Sequence, residues 1–354
     1  MTLEKIAAIA KVSRSTVSRV INNDPDVSEK TRIRVKQVIE QINYQPNRIA
    51  RSLAGGRTGV IGLMVPMRVS ALFTDPFFSI IIQGVCSACN RLNLYVMLWL
   101  GEPEYERRTV RPFLQNHILD GVIIASMLID DPVLEALIEG DLPFILIGRY
   151  PVNSDVSYVD VDNQNAAFEM VSHLVRIGYR RIAMITGPLN MIAGYDRLEG
   201  YKNAMRACGL PVDEGMIAKG DFTEQGGYFA MQQLLPRKPE VVFAASDTMA
   251  IGALRAIKDA GLEVPEDMGI VGFDDMPFAI STDPPLTTIR QPIQRSGEIA
   301  AQTLIDMIDH PNTAHHHIIL PTELVIRSSC GFAQMITSQS KEAEISDILR
   351  GGSK

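Results

Sequence analysis

Ile6-Ala7-Ala8-Ile9-Ala10-Lys11-Val12-Ser13-Arg14-Ser15-Thr16-Val17-Ser18-Arg19-Val20-Ile21-Asn22 holds two short apolar rhythms separated by a polar break. Leu3, Ile6, Ala7 and Ala10 recur at helical spacing, and Val17, Val20 and Ile21 repeat it. Small side chains at Ala7 and Ala10 let two helices approach closely, while Val12 and Val17 fill the space between them. Ser13 stands where it can cap the second helix, so Arg14, Ser15 and Arg19 project from its exposed face. This is the logic of a helix-turn-helix, whose second helix offers its N-terminal side chains to base edges in the major groove. An arginine can there pair with guanine O6 and N7, contributing about 1–3 kcal/mol of discrimination. Thr16, Asn22 and Tyr44 suit phosphate contacts, which orient without specifying. A third helix is expected from Ser28, an N-cap candidate, with Ile33, Val35, Val38 and Ile42 as its apolar positions.

A small helical bundle with a solvated basic face would show the same periodicity. The next segment separates the two readings. Pro46-Asn47-Arg48-Ile49-Ala50-Arg51-Ser52-Leu53-Ala54 allows barely two helical turns before Gly55-Gly56. A helix that short is marginal in water and orders only against a partner. Arg48 and Arg51 flank an apolar Leu53, the composition of a minor-groove wedge that unstacks a base step. Charge agrees. Residues 1–58 hold 11 basic against 5 acidic side chains, whereas the remainder holds 23 against 36. A basic head on an acidic body places contact with a polyanion in the head alone.

From Gly59 the pattern changes to short β-rich runs alternating with amphipathic helices. Strands are expected at Val60–Val65, Tyr95–Leu100, Val122–Ala125 and Phe144–Ile147, with helices over Phe78–Leu92 and Tyr105–His117. The alternation restarts at Tyr158–Val161 and continues through Ile182–Thr186, Val241–Ala245 and Gly269–Phe273. Such alternation implies two doubly wound parallel sheets with helices on both faces. Extended passages near Asn153–Ser157, Pro285–Pro292 and Leu320–Glu323 are the expected crossovers.

In open α/β sheets, ligands collect at the carboxyl ends of strands. Ser246 and Asp247 follow one apolar run, Asp274 and Asp275 another, Phe222 ends the Ile217–Phe222 segment, and Arg197 opens an Arg-x-x-Gly stretch. Carboxylates, a guanidinium and an aromatic face suit a saccharide, accepting and donating to adjacent hydroxyls while a ring packs on the sugar. The same residues also have plainer uses: Asp247 and Asp275 as helix caps, Arg197 in a surface ion pair, Phe222 in the core.

Residues 3–55 resemble the headpiece and hinge helix of the lactose-repressor family of bacterial transcription regulators. The resemblance rests on Val12-Ser13-x-x-Thr16-Val17-Ser18-Arg19-Val20-x-Asn22 and on Tyr44-x-Pro46-Asn47-x-x-Ala50-x-x-Leu53-Ala54-Gly55. It extends to about Gly331 and implies an all-α helix-turn-helix headpiece plus an α/β core of two doubly wound parallel-sheet subdomains, similar to periplasmic sugar-binding proteins. Arg14 and Ser15 would then set operator preference, Arg19 would be the shared base-reading arginine, and Leu53 the intercalating leucine of a hinge that includes Asn47, Arg48 and Ala50. In the core, Arg197 and Asp274 match effector-contacting positions, and Phe77 and Phe78, after Asp75-Pro76, match the aromatic position of the other subdomain's mouth. Three places depart from the pattern: Lys11 replaces a turn glycine, Ser246 an asparagine of some sugar-responsive members, and Gly148-Arg149 an aspartate-containing turn. The expected effector set is thus Asp75, Phe77, Phe78, Arg149, Arg197, Phe222, Ser246, Asp247 and Asp274.

The expected division is a headpiece at 1–45, a hinge at 46–57, a core at 58–333 and a tail at 334–354. Within the core, one subdomain takes about 58–157 and 290–320, the other about 158–289 and 321–333. No apolar run approaches the ~18 residues of a membrane span. Met1–Lys5 lacks an export layout, and four scattered cysteines make no disulfide framework, so a cytoplasmic protein is expected. No cofactor or metal is expected. Cys86-x-x-Cys89 lies in an amphipathic helix, His315-His316-His317 precedes a strand whose faces alternate, and no nucleophile–base–orienter set can be assembled. The partners implied are a near-palindromic DNA operator, a second copy of the chain, and a mono- or disaccharide. A purine- or phosphoprotein-responsive regulator is the rival within the class, and a sugar-binding enzyme or receptor the rival outside it.

Overall fold

The computed structural model describes residues 3–21, 24–42, 57–65, 72, 75–100, 103–116, 118–125, 128–129, 132–150, 155–311 and 314–331. The chain forms two compact units, Met1–Gly59 and Val60–Lys354.

The first unit has three helices: α1 (Leu3–Ala10), α2 (Arg14–Ile21) and α3 (Glu29–Gln41). Ile6, Ala7 and Ala10 pack with Val17, Val20, Val35 and Val38 as a small core. The turn between α1 and α2 closes with Val12 N donating to Ala7 O at 3.0 Å and Lys11 N to Ala8 O at 3.3 Å. That pattern demands a left-handed residue, and Lys11 occupies it at φ 50°. Ser13 Oγ then accepts the Thr16 amide at 3.1 Å and starts α2. For α3 one expectation holds in position and another needs correction. Ser28 holds the N-cap position, but its hydroxyl meets that of Thr31 at 2.9 Å instead of capping a backbone N–H. Ile33 is 49% exposed. At about 100° per residue it lies roughly 200° around the helix from Val35, so the two cannot share the buried face.

The second unit holds two parallel sheets. The first contains β1 (Val60–Met64), β2 (Tyr95–Trp99), β3 (Gly121–Ala125), β4 (Phe144–Ile147), β5 (Tyr158–Val161) and β11 (His317–Leu320), ordered β11-β5-β4-β3-β1-β2. Its helices are α4 (Pro76–Arg91), α5 (Pro103–Leu114), α6 (Pro132–Ile138) and α11 (Ile293–Asp309). All five residues of β3 are buried, as a strand covered on both faces requires. The second sheet, ordered β7-β6-β8-β9, contains β6 (Ile182–Thr186), β7 (Ile217–Lys219), β8 (Val241–Ala244) and β9 (Gly269–Val271). Around it lie α7 (Asn163–Arg176), α8 (Ile192–Ala207), α9 (Glu224–Leu234) and α10 (Asp247–Asp259), enclosing a core that includes Tyr201, Phe243 and Phe273. An antiparallel pair, β10 (Thr288–Arg290) with β12 (Glu323–Val325), extends this subdomain.

One boundary moves. The strand at Tyr158–Val161 does not open the second subdomain, because it pairs with both β4 and β11 in the first sheet. The chain crosses only after Val161, where Asp162 caps α7 by accepting the Asn165 amide at 3.0 Å. The first subdomain therefore runs to Val161, not to 157. The other two crossovers fall where the extended passages placed them, between β10 and α11 and between β11 and β12.

Helices α4 and α11 carry residues of the cleft described below, and they cross in near backbone contact. A Cβ built on Gly84 would lie 2.1 Å from the Gln294 carbonyl oxygen, and one on Gly297 would lie 2.6 Å from that of Ile81. Gly84→Ala should therefore destabilise the core by about 1–3 kcal/mol through overpacking. In contrast, Lys11→Gly should stabilise the headpiece by about 1 kcal/mol by relieving the left-handed strain. Urea unfolding followed on each unit checks both; a stabilised Gly84→Ala or a destabilised Lys11→Gly would contradict the packing described.

Candidate functional site

The headpiece presents a polar face built by the start of α2. Arg14, Ser15 and Arg19 are exposed, while Thr16 is half-buried with its hydroxyl 2.7 Å from Ser13 Oγ. Each arginine has an acidic neighbour: Arg14 Nε lies 3.1 Å from Glu4, and Arg19 Nε lies 3.4 Å from Asp24. Arg14 and Glu4 are 69% and 60% exposed, so this pair is weak and readily exchanged for another anion. Asn22, Tyr44, Asn47, Arg48, Ala50 and Leu53 lie outside the described residues.

The second site is a cleft between the two subdomains of the larger unit, at the carboxyl ends of their strands. From the first subdomain it is lined by Phe77 and Ile81 of α4, Ile147 at the end of β4, Gly148 and Arg149 after it, and Asp160 of β5. From the second come Asn163, Met191, Ala193 and Arg197, from the crossing between β10 and α11 comes Gln291, and from the start of α11 come Ile293 and Ser296. Gly148 has φ 99°, a backbone state that turns the chain sharply before Arg149 and suits glycine alone.

Arg197 forms the floor. It is 5% exposed, and its guanidinium stacks 3.6 Å from the Phe273 ring centroid. Its Nε donates to Asn163 Oδ1 at 2.9 Å, and one terminal nitrogen reaches both Ala245 O at 2.6 Å and Asp274 Oδ1 at 3.4 Å. Asp274 also accepts from Gln291, so the residue after β9 is tied to the crossing into α11. Burial raises the Asp274 carboxyl above the usual carboxylate range, opposed by the facing Arg197 charge. Its φ of 122° is a conformation that a non-glycine residue adopts only under strain, and such strain concentrates at functional sites.

Arg149 reaches across the cleft. Its guanidinium grips Asp196 of α8 through two nitrogens, Nε at 3.2 Å to Oδ2. Alongside, Ile129 N donates to Asn190 O at 2.7 Å, and Leu128 bridges Met191. These contacts span the two subdomains. Asp160, buried beneath, accepts from the amides of Val161 at 2.8 Å and Arg149 at 3.2 Å, and from Asn163 Nδ2 at 3.2 Å. Burial is the main cause that pushes its carboxyl up to about 6.

Of the nine expected effector residues, Phe77, Arg149 and Arg197 line the cleft. Asp274 stands directly behind Arg197 and Gln291. Asp75 caps α4 through the Phe77 amide at 3.0 Å. Three assignments need correction. Phe78 is 3% exposed and faces the core, because neighbouring helical positions diverge by about 100°. Ser246 Oγ accepts the Met249 amide at 3.2 Å as the cap of α10. Asp247 is fully buried, accepting from Met276 N at 2.7 Å and Thr288 Oγ1 at 2.6 Å. Both therefore serve the loops that shape the cleft. Phe222, at φ 64°, lays its ring over Gly187 and comes within 5.9 Å of Arg197, outside the lining itself. Asp160, Asn163, Asp196 and Gln291 escaped the sequence reading. Asp160 and Asn163 did carry the strand-end signal, in Tyr158–Val161 and the residues just after it.

A helix-turn-helix unit with exposed arginines, joined to a two-lobed parallel α/β unit with a polar cleft, defines a ligand-responsive DNA-binding regulator. Residues 2–47 match the family described as bacterial regulatory proteins, lacI family, and residues 171–330 match the periplasmic binding protein-like domain. The HTH-type transcriptional regulator CelR of Thermobifida fusca is 40% identical over 333 residues, covering 93% of this chain and 98% of that protein. A solved transcriptional regulator CelR–cellobiose complex superposes with a TM-score of 0.75 at 38% identity, covering 93% of this chain and 99% of that one. The lac repressor dimer bound to operator and the anti-inducer ONPF superposes with a TM-score of 0.80 at 28% identity, over the same shares. The chain belongs to the lacI family of bacterial transcription regulators.

The raised Asp160 carboxyl has a consequence for stability. A carboxyl whose folded-state value lies above its unfolded one favours the fold most at low pH and loses that contribution as pH rises through about 6. Asp160→Asn does not titrate. Its melting temperature relative to the parent should therefore increase from pH 5 to pH 7.5, whatever the offset at pH 5. A difference that shrinks over this range would contradict the burial of an ionisable group there.

Proposed function

We propose that this protein is a repressor of carbohydrate-utilisation genes whose operator affinity is switched by a mono- or disaccharide bound in the cleft. The observation that carries this reading is the cleft itself, where Phe77 and a ring of amide, carboxylate and guanidinium groups converge between two hinged subdomains. An aromatic face beside convergent polar groups is what saccharide recognition requires. The CelR–cellobiose complex and the lac repressor dimer on its operator support the same reading.

The working form is a homodimer that places one recognition helix on each half of a near-palindrome. Arg14, Ser15 and Arg19 read bases; Thr16, Asn22 and Tyr44 hold phosphates; Asn47, Arg48, Ala50 and Leu53 form the hinge segment that inserts into the minor groove. Ligand binding alters the closure of the two subdomains, and closure sets the separation of the paired hinges. The protein binds its ligand without transforming it, in keeping with relatives described as transcriptional regulators. Among the described residues no helix is long and apolar enough to cross a membrane, and the site of action is the cytoplasm, where the operator is.

A thermal-shift screen against mono- and disaccharides, followed by operator binding with each hit, tests the proposal. Arg19→Ala should weaken operator binding about 10- to 100-fold, the loss expected for one bidentate base contact, and leave the saccharide shift unchanged. Phe77→Ala should do the opposite. Loss of both activities in either variant, with the fold intact, would refute the separation of reading head and sensing cleft.

A further inference from the structure

The charges around the cleft restrict what it can hold. Four carboxyls, those of Asp75, Asp160, Asp196 and Asp274, surround two guanidiniums, those of Arg149 and Arg197. The described residues that line the cleft include no lysine and no histidine. Arg197 is already held by Asn163, Ala245 O and Asp274 and lies flat on Phe273. Arg149 is the more accessible cation, with 34% of its side chain exposed, yet it is clamped by Asp196, itself 4% exposed. Asp160 lies a further 4.0 Å from the Arg149 Nε. Among the described residues, an entering phosphate or carboxylate would meet no uncommitted cation, and it would add charge where burial already disfavours the ionised form of every carboxyl named. Hydroxyl groups carry no such penalty. They can donate to the remaining carboxylate lone pairs and accept from guanidinium N–H groups.

We propose that the Arg149–Asp196 pair acts as a charge filter, making the cleft selective for an uncharged polyhydroxyl ligand over its phosphorylated or carboxylated derivative. This rests on the saccharide reading above and narrows it. Asp196 is thereby a specificity-determining residue: it occupies Arg149, the more exposed of the two described cleft cations and the one that could otherwise turn toward an anionic ligand.

The test titrates the full-length protein calorimetrically with three matched pairs: D-glucose and D-glucose 6-phosphate, D-ribose and D-ribose 5-phosphate, cellobiose and cellobionate. In any pair that binds, the neutral member should be preferred at least tenfold. In Asp196→Asn, which keeps the side-chain shape and releases Arg149, that preference should fall below threefold through a gain for the anion. An anionic member that binds the parent protein more tightly than its neutral counterpart overturns the filter, and so does an unchanged ratio in a folded Asp196→Asn. If Asp196→Asn does not fold, the ratios of the parent protein decide. Absence of binding across all six compounds, and across a wider neutral-sugar screen, instead removes the saccharide reading and the filter with it.

Discussion

A guanidinium removed from water holds the larger unit in its working shape. Arg197 is almost wholly buried, and a desolvated cation persists only where hydrogen bonds and an opposite charge replace its hydration. Its partners come from separate places in the chain: Asn163 at the start of α7, Ala245 at the end of β8, Asp274 after β9 and the ring of Phe273. Through Asp274 the set continues to Gln291, on the crossing that leads into α11. A single side chain thus joins the carboxyl-end loops of the second sheet to one of the segments that cross between the subdomains. The strain of Asp274 and the buried carboxyl of Asp247 follow from the same demand, since both loops must be held where Arg197 can be satisfied.

The cations of the headpiece and of the cleft obey opposite rules. In the headpiece, Arg14 and Arg19 sit in solvent beside Glu4 and Asp24, where ion pairs contribute little and exchange quickly. Such arginines remain available to phosphates and base edges, and the counterions released supply much of the affinity for DNA. In the cleft, Arg149 and Arg197 are tied down, and geometry replaces availability. One chain therefore holds its headpiece arginines loosely in solvent and its cleft arginines tightly in ion pairs and hydrogen bonds.

Much of this architecture was legible in the sequence. Strands covered on both faces are near-continuous apolar runs, so Phe144–Ile147 and Ile182–Thr186 stand out with their observed limits, and Tyr158–Val161 does so despite Asp160 within it. Sheet membership is another matter. Tyr158–Val161 follows a break in the chain, yet its neighbours are a preceding strand and one some 160 residues later, a relation that local pattern does not carry. Strands of three residues, such as Thr288–Arg290 and Glu323–Val325, offer too few alternations to be seen. Arg197, in the cleft lining, and Asp274, behind it, were singled out because each belongs to a compact motif. Asp196 was missed because its meaning depends on Arg149, 47 residues earlier and on the opposite lobe. Phe77 and Phe78 were indistinguishable until the phase of α4 was known, and Ser246 and Asp247 satisfied a helix terminus and two loops before any ligand.

The proposed switch requires energetic coupling between the cleft and the DNA-reading head. Thermodynamic linkage makes this measurable in both directions with one saccharide and one operator fragment. The operator dissociation constant is determined without and with saturating saccharide, and the saccharide dissociation constant on free and on operator-bound protein. The two ratios should agree, at a factor between about 5 and 150. An operator affinity that does not change when the cleft is full would contradict the coupling, and the two units would then be independent binding modules on one chain.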